Sequence, residues 1–421
     1  MDRTRFDRAA ELIRKFSKAD DYHLIWGMTE SSLTRFADNM ITQNVNREEE
    51  SISLTSYFGS KKASLSTSRL DEESIREFVA KSEKAALESV EDREHMPTVG
   101  SSDQKITHQI DRAVLAMDEK ERAEIAGKAI ERAKAEKGIA AGIVSNGLNY
   151  LGISTKNCAD KFFGKTFLDY SNTMKINDES GAASENGILR EQVDIDKAIN
   201  SALNDARMLQ NRVEMEPGRY TVLLSAHAAS QLISNMAWYG MNRRAVDEGY
   251  SPYSGKIGTK IVDERVNIFT DPSSHDLPAR PFDYEGSPIQ KGHLIENGVL
   301  QNIPCSRWWA KEKGIQPWGL GNMIFTGSDQ DDAKLLAKIK RGFYIKELWY
   351  IRMVKMEDLT LTGMTRNGFF YIEDGLVVSG ATHFRWNNSP LAMLNNLIEL
   401  GQGKSVYPEW GVPTSIPSLL V

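Results

Sequence analysis

The chain has 421 residues, with 52 Lys and Arg against 58 Asp and Glu, a formal net charge of -6 and 2 cysteines. That length predicts two or three domains with ample material for a buried core, and the 40% hydrophobic and 26% charged fractions are those of an ordinary globular protein. No run approaches the roughly 18 apolar residues needed to span a bilayer. No Lys/Arg block exceeds a dipeptide such as Arg243-Arg244, so the basic face of a nucleic-acid binder is not expected.

The opening, MDRTRFDRAAELIRKF, is charged and amphipathic, which predicts no secretory leader. Cys158 and Cys305 lie far apart and read as free thiols in a reducing compartment, so a cytoplasmic setting is expected. Phe6, Ala9, Ala10, Ile13 and Phe16 recur at helical spacing, so residues 6–19 are predicted to form a helix with that face inward. Short β-prone runs follow at 23–28, 51–58 and 63–67. In the second, Ile52, Leu54, Ser56 and Phe58 alternate with polar neighbours, as in a half-buried strand.

Asp71 is placed to cap a helix over 71–89, with Ser74 three residues on instead of the Glu of a full capping box. Residues 91–105 are polar, contain Pro97 and Gly100, and read as a linker. Residues 118–137 have an Asp cap, acids in the first turn and Gly138 as a stop, which predicts a second helix. Four β-like stretches from 139 to about 176 and a helix over 194–209 complete this half.

Residues 211–218 (NRVEMEPG) mark a boundary. The expected architecture is α+β: an N-terminal α/β domain over 1–212 and a β-rich C-terminal domain of curved antiparallel sheets with a few helices over 213–421. Glu296-Asn297-Gly298 and Glu373-Asp374-Gly375 sit between apolar runs, as the tight turns of a meander do. Residues 342–354 (GFYIKELWYIRMV) are the most strand-like in the chain.

Several residues could carry chemistry. His227 opens a helix after the strand at 220–224, but one imidazole without a mate is not a zinc site, which takes three protein ligands. Asp271, Ser273, Ser274, His275 and Asp276 are adjacent in a loop-like run, whereas catalytic triads converge from distant parts of a chain. Asp283 and Glu285 lie two apart, so a strand would present both carboxylates on one face. Ser328 is placed to cap a helix with acids at 329–332. Cys305 has Arg307 nearby but no His partner, so an inert thiol is favoured over an activated one. Trp308, Trp309, Trp318, Trp349 and Trp386 are either core or an interface anchored by aromatics and arginine.

Three segments stand in a particular order: YTVLLSAHAASQLISNMAWYGMNRR from Tyr220, SPYSGKIG from Ser251 and FDYEGSPIQKGHLIENGVLQN from Phe282. With SSLTRFADNMITQNVNREEESISL at 31–54, GFFYIEDGLVVSGATHFRWNNSPLAMLNNLIELG at 368–401 and PSLLV at 417–421, this order resembles the TldD/PmbA family, once called modulators of DNA gyrase. The departures are the Trp-rich run at 308–319 and a slightly longer loop at 245–250. The zinc-protease branch of that family carries HExxxH on the helix after the first strand. Here the corresponding hexapeptide is QLISNM at 231–236, and starting at His227 instead puts Ala228 and Leu232 in the Glu and second His places. No Cys occurs in residues 401–421 to act as the third ligand.

The resemblance therefore implies the PmbA/TldE-like branch. Such a chain has no catalytic or metal residues and no cofactor of its own, and it pairs with a zinc-bearing TldD-like subunit. The pair would process small unfolded peptides, this subunit shaping the chamber. Asn242, Arg243, Arg244 and Ser254, in the segment after the vacated helix, are the candidate peptide or partner contacts, with Trp308 and Trp309 as a candidate interface anchor. Two alternatives stay open: a stand-alone homodimeric peptide-binding or regulatory protein, and an enzyme with unrelated chemistry at the vacated site. Neither nucleic acid nor membrane is an expected partner.

Overall fold

A computed structural model describes residues 3–157, 159–407 and 411–421. Cys158 lies outside the described residues. The fold is α+β, built on two sheets.

The first half runs α1 (Thr4–Phe16), β1 (Asp21–Ala37), β2 (Met40–Phe58), β3 (Lys61–Thr67), α2 (Glu72–Glu88), α3 (Arg112–Leu115), α4 (Glu119–Ala135), β4 (Ile139–Thr155), β5 (Lys161–Ile176), β6 (Glu179–Gly187) and α5 (Ile195–Met208). Its strands form a six-stranded antiparallel sheet in the order β3-β2-β1-β4-β5-β6. The expected caps at Asp71 and Asp118 are present, accepting the backbone N–H of Ser74 and Glu121, and Asp194 caps α5 in the same way through Lys197. The alternation over 51–58 is the register of the sheet, with Trp26 opposite Ile52 and Leu24 opposite Leu54, all fully buried.

The four short β stretches expected over 139–176 are instead two long strands, β4 and β5, and β6 follows unforeseen. Glycines within these strands stand where another residue comes close. A Cβ at Gly152 would lie 2.3 Å from the Phe6 ring, so the missing side chain is what lets α1 pack on the sheet. Residues 91–105 are not a free linker: Gln104 Nε2 donates to the Pro281 carbonyl, Arg307 Nη2 donates to Pro97 O at 2.9 Å, and Glu94 pairs with Arg244 at 2.6 Å.

The second half runs β7 (Arg212–Val213), β8 (Thr221–Leu224), α6 (Ala226–Gly240), α7 (Arg243–Asp247), β9 (Ile268–Thr270), β10 (Gly292–Glu296), β11 (Val299–Leu300), α8 (Arg307–Lys313), β12 (Met323–Phe325), α9 (Asp332–Leu336), β13 (Arg341–Lys355), β14 (Thr360–Glu373), β15 (Leu376–Ala381), β16 (Arg385–Asn388), α10 (Pro390–Asn395), β17 (Glu399–Val406) and β18 (Thr414–Leu420). These strands form a twelve-stranded sheet, largely antiparallel, in which β12–β18, β8–β13 and β7–β15 pair in parallel. The parallel pairs join strands far apart in sequence, where no hairpin imposes antiparallel order.

The expected tight turn at 296–298 is present, with Asn297 and Gly298 at φ 49° and 76°. A Cβ on Gly298 would meet the Val262 carbonyl at 2.4 Å. The chain's end is central in the sheet: β18 lies between β12 and β8, with Leu419 and Leu420 in the core. Among the described residues no helix is long and apolar enough to cross a membrane.

Candidate functional site

A cavity of about 1210 Å³ opens between the two halves. One wall comes from β1, β4, β5, β6 and α5, the other from the start of α6, β13, β14 and β17. Residues 182–186 of β6 all line it. Side chains alternate across a strand, so five consecutive lining residues mean that the cavity borders the strand's edge as well as one face. β6 is the last strand of its sheet, and among the described residues that edge carries no strand partner.

The sequence places α6 through its cap. Ser225 Oγ accepts the Ala228 N–H at 3.1 Å and donates to the Lys346 carbonyl at 2.8 Å, which fixes the helix start against β13. Ser225, Ala226 and His227 therefore face the cavity. His227 is exposed to the cavity interior rather than to bulk solvent. Surrounding protein holds its pKa below the ordinary histidine value, opposed by the Glu347 carboxylate. Glu347 accepts a bond from Asn367 Nδ2 at 2.8 Å.

Across the cavity, Lys346 Nζ bonds the Asp205 carboxylate and donates to Ser201 Oγ at 2.7 Å, tying β13 to α5. Burial raises the Asp205 pKa, and Lys346 opposes that rise. The two halves also meet where Asn186 Nδ2 donates to the Tyr407 carbonyl at 2.7 Å and Asn186 Oδ1 accepts the Tyr407 N–H at 3.3 Å. Lys404 pairs with Asp332 at 3.1 Å, and Tyr344 Oη donates to the same carboxylate at 3.2 Å.

The two registers considered for a zinc motif on α6 can be tested against this geometry. Gln231 Oε1 accepts the Leu348 N–H at 2.8 Å, and Met236 is fully buried. Ala228 and Leu232 are fully buried as well. At the start of α6, His227 and, from β13, Glu347 are the candidate ligands among the described residues, and two such groups do not make a three-ligand zinc centre. Among the described residues, no group of three or more His, Cys, Asp or Glu could hold a metal ion.

The six residues singled out from the sequence do not line the cavity. Asn242 caps α7 by accepting the Ala245 N–H, and Ser254 Oγ accepts the Ser251 N–H. Arg243 pairs with Asp247 at 2.9 Å, and Arg244 pairs with Glu248 and Glu94. Trp309 is buried and donates from Nε1 to Asp247 Oδ2 at 2.8 Å, while Trp308 is half-buried and Arg244 lies 5.6 and 5.1 Å over the two rings. The geometry thus joins Arg243, Arg244, Trp308 and Trp309 in one cluster that ties α7, α8 and residues 91–105 together.

Other expectations change too. Asp283 and Glu285 stand in a turn, not a strand: Asp283 Oδ1 accepts the N–H groups of Glu285 and Ser287, and Glu285 pairs with Arg307 at 3.2 Å. Asp331, not Ser328, caps α9; Ser328 Oγ donates to the Leu400 carbonyl. Burial pushes the Cys305 thiol up, which agrees with an inert role. His275 pairs with Asp276 at 3.1 Å while Ser273 bonds Asp271, so no triad forms there.

Sequence reasoning missed Lys346, Glu347 and Asp205. The signal was available for the first two: a Lys-Glu pair inside the most strand-like apolar run of the chain.

Residues 217–421 match the family described as the PmbA/TldA metallopeptidase C-terminal domain. A metalloprotease of Methanothermobacter thermautotrophicus is 25% identical over 142 residues, covering 31% of this chain and 31% of that protein. One from Archaeoglobus fulgidus is 28% identical over 106 residues, 25% of each chain. A metalloprotease TldD homolog of Buchnera aphidicola is 26% identical over 131 residues, 31% of this chain and 27% of its own. These alignments span less than a third of each relative's length.

In structure, TldE of Thermococcus kodakarensis superposes with a TM-score of 0.86 at 16% identity, covering 99% of this chain and 98% of that one. A candidate modulator of DNA gyrase from Bacteroides thetaiotaomicron gives 0.86 at 17% identity, covering 99% and 97%. One from Thermotoga maritima gives 0.82 at 20%, covering 99% and 98%. At such identities the likeness shows a shared fold.

Proposed function

We propose that this chain, which belongs to the TldD/PmbA family, serves as a non-catalytic, TldE-like subunit of a peptide-processing metalloprotease. The observation that carries this reading is helix α6. It stands on the wall of a large cavity, in the place where the zinc-protease branch carries its motif, and it offers an amide already bonded to β13 and buried apolar side chains. A hydrolytic zinc needs three ligands and a base. A partner subunit would supply them.

The cavity's 1210 Å³ exceeds the ~300–1,000 Å³ of ordinary small-molecule pockets. An extended peptide fits that space, and the free edge of β6 offers main-chain N–H and C=O groups to which such a peptide adds as a strand. Recognition through the main chain favours unfolded substrates of many sequences over folded proteins.

The test mixes the purified chain with the family member of the same genome that carries an intact HExxxH motif. The expected result is that unstructured peptides are cleaved faster by the mixture than by either protein alone, and that a chelator stops the reaction. Chelator-sensitive cleavage by this chain alone would overturn the proposal. A stable homodimer that ignores the zinc-bearing protein would favour the stand-alone binding reading.

A further inference from the structure

Two neighbouring aromatics turn outward together on β13, away from the core that holds Phe343, Ile345, Leu348 and Ile351 of the same strand. Alternation would send Trp349 and Tyr350 to opposite faces. Instead the pairing of β13 with β14 slips between Trp349 and Arg352, and Tyr350 takes φ of 56°, left-handed backbone that a bulky side chain adopts only under strain. The result is that Trp349 is 47% and Tyr350 58% exposed, with ring centroids 5.5 Å apart.

An arginine covers each ring. Arg366 lies 4.4 Å over Trp349, and Arg352 lies 4.1 Å over Tyr350. Neither guanidinium takes part in an ion pair among the described residues, and Arg352 Nη1 donates to the Ile351 carbonyl at 2.8 Å. The carboxylate opposite Arg366 in the ladder is Glu347, and it accepts its bond from Asn367.

We propose that this tier of Trp349, Tyr350, Arg352 and Arg366 is the docking face for a second, non-identical polypeptide that presents carboxylates. On the function proposed above, that polypeptide is the zinc-bearing subunit. Trp, Tyr and Arg are the residues in which interface energy concentrates. A guanidinium stacked on a ring is held in place, and the single backbone bond made by Arg352 leaves its other N–H groups available to a carboxylate. A second copy of this chain that met the tier on a two-fold axis would set arginines against the same arginines. A head-to-tail contact between copies would avoid that clash, but it does not close into a dimer.

The experiment titrates the full chain with the HExxxH-bearing family member of the same genome and follows association by sedimentation and calorimetry. W349A/Y350A is expected to weaken association about 30-fold or more, the effect of losing about 2 kcal/mol at 1.4 kcal/mol per tenfold. R352E/R366E should lose at least tenfold. The wild-type affinity should also fall more steeply with salt than that of R352Q/R366Q. All four side chains are exposed, so circular dichroism and the unfolding midpoint should stay native.

If the wild type binds the partner and every variant binds equally well, the docking face is refuted while the subunit reading stands. If the wild type ignores that partner, the subunit reading fails and the proposal with it, whether the tier proves to join two copies of this chain or to hold a single-stranded oligonucleotide.

Discussion

His227, Asp205 and Asp169 show how position decides the charge of a side chain. Burial shifts all three toward their neutral forms, His227 downward and the two carboxyls upward. Asp169, on β5, is raised from 3.8 to about 6, with Lys165 opposing. A carboxyl whose folded value is raised holds its proton more tightly in the folded chain. Its contribution to stability is therefore complete below 3.8 and is lost as pH rises through about 6. Asp169→Asn removes that dependence. Urea unfolding at a series of pH values should show the variant gaining on the wild type between pH 4 and 7, by up to about 3 kcal/mol. Parallel curves across that window would mean that Asp169 ionises without hindrance.

Among the elements, α6 depends most on a single side chain. Ser225 is 8% exposed, and its hydroxyl accepts the Ala228 N–H at the start of the helix and donates to the Lys346 carbonyl of β13. Ser225→Ala removes a cap and strands a buried carbonyl, at a cost of about 2 kcal/mol. The midpoint of chemical unfolding should drop with an unchanged slope; an unchanged midpoint would show that water replaces the hydroxyl. Caps of this kind were legible at Asp71 and Asp118, because a cap acts within one turn of its own residue. The true length of β4 was not, because whether Gly152 breaks a strand depends on Phe6, which lies far away in sequence.

At the scale of the whole molecule, the two halves close over the cavity through few direct bonds, and Lys346 with Asp205 is the most buried of them, at 20% and 8% side-chain exposure. Removing one partner of such a pair strands the other, at about 3 kcal/mol or more, whereas replacing both by apolar groups of similar size is often close to neutral. Burial raises the Asp205 pKa, so Lys346→Met should destabilise the chain more where Asp205 is ionised than at lower pH, where it holds its proton. Lys346→Met combined with Asp205→Leu should recover most of the loss. If the double variant is as unstable as the single one, the pair matters through its shape rather than its charge.

The sequence by itself determined the elements with local causes: capped helices, the alternating strands at 51–58, the hairpin turns at 296–298 and 373–375, and the Gln, Ala, Leu and Met that stand where zinc ligands would be needed. Those follow from side-chain chemistry and from contacts a few residues long. Only the tertiary structure decided where Arg243, Arg244, Trp308 and Trp309 go: into a cluster that binds residues 91–105, away from the cavity. It also decided that Lys346 faces Asp205 and that Trp349 and Tyr350 turn outward together. The reason is geometric: each depends on the meeting of elements from distant parts of the chain, or on a shift in strand register, and no local pattern encodes either.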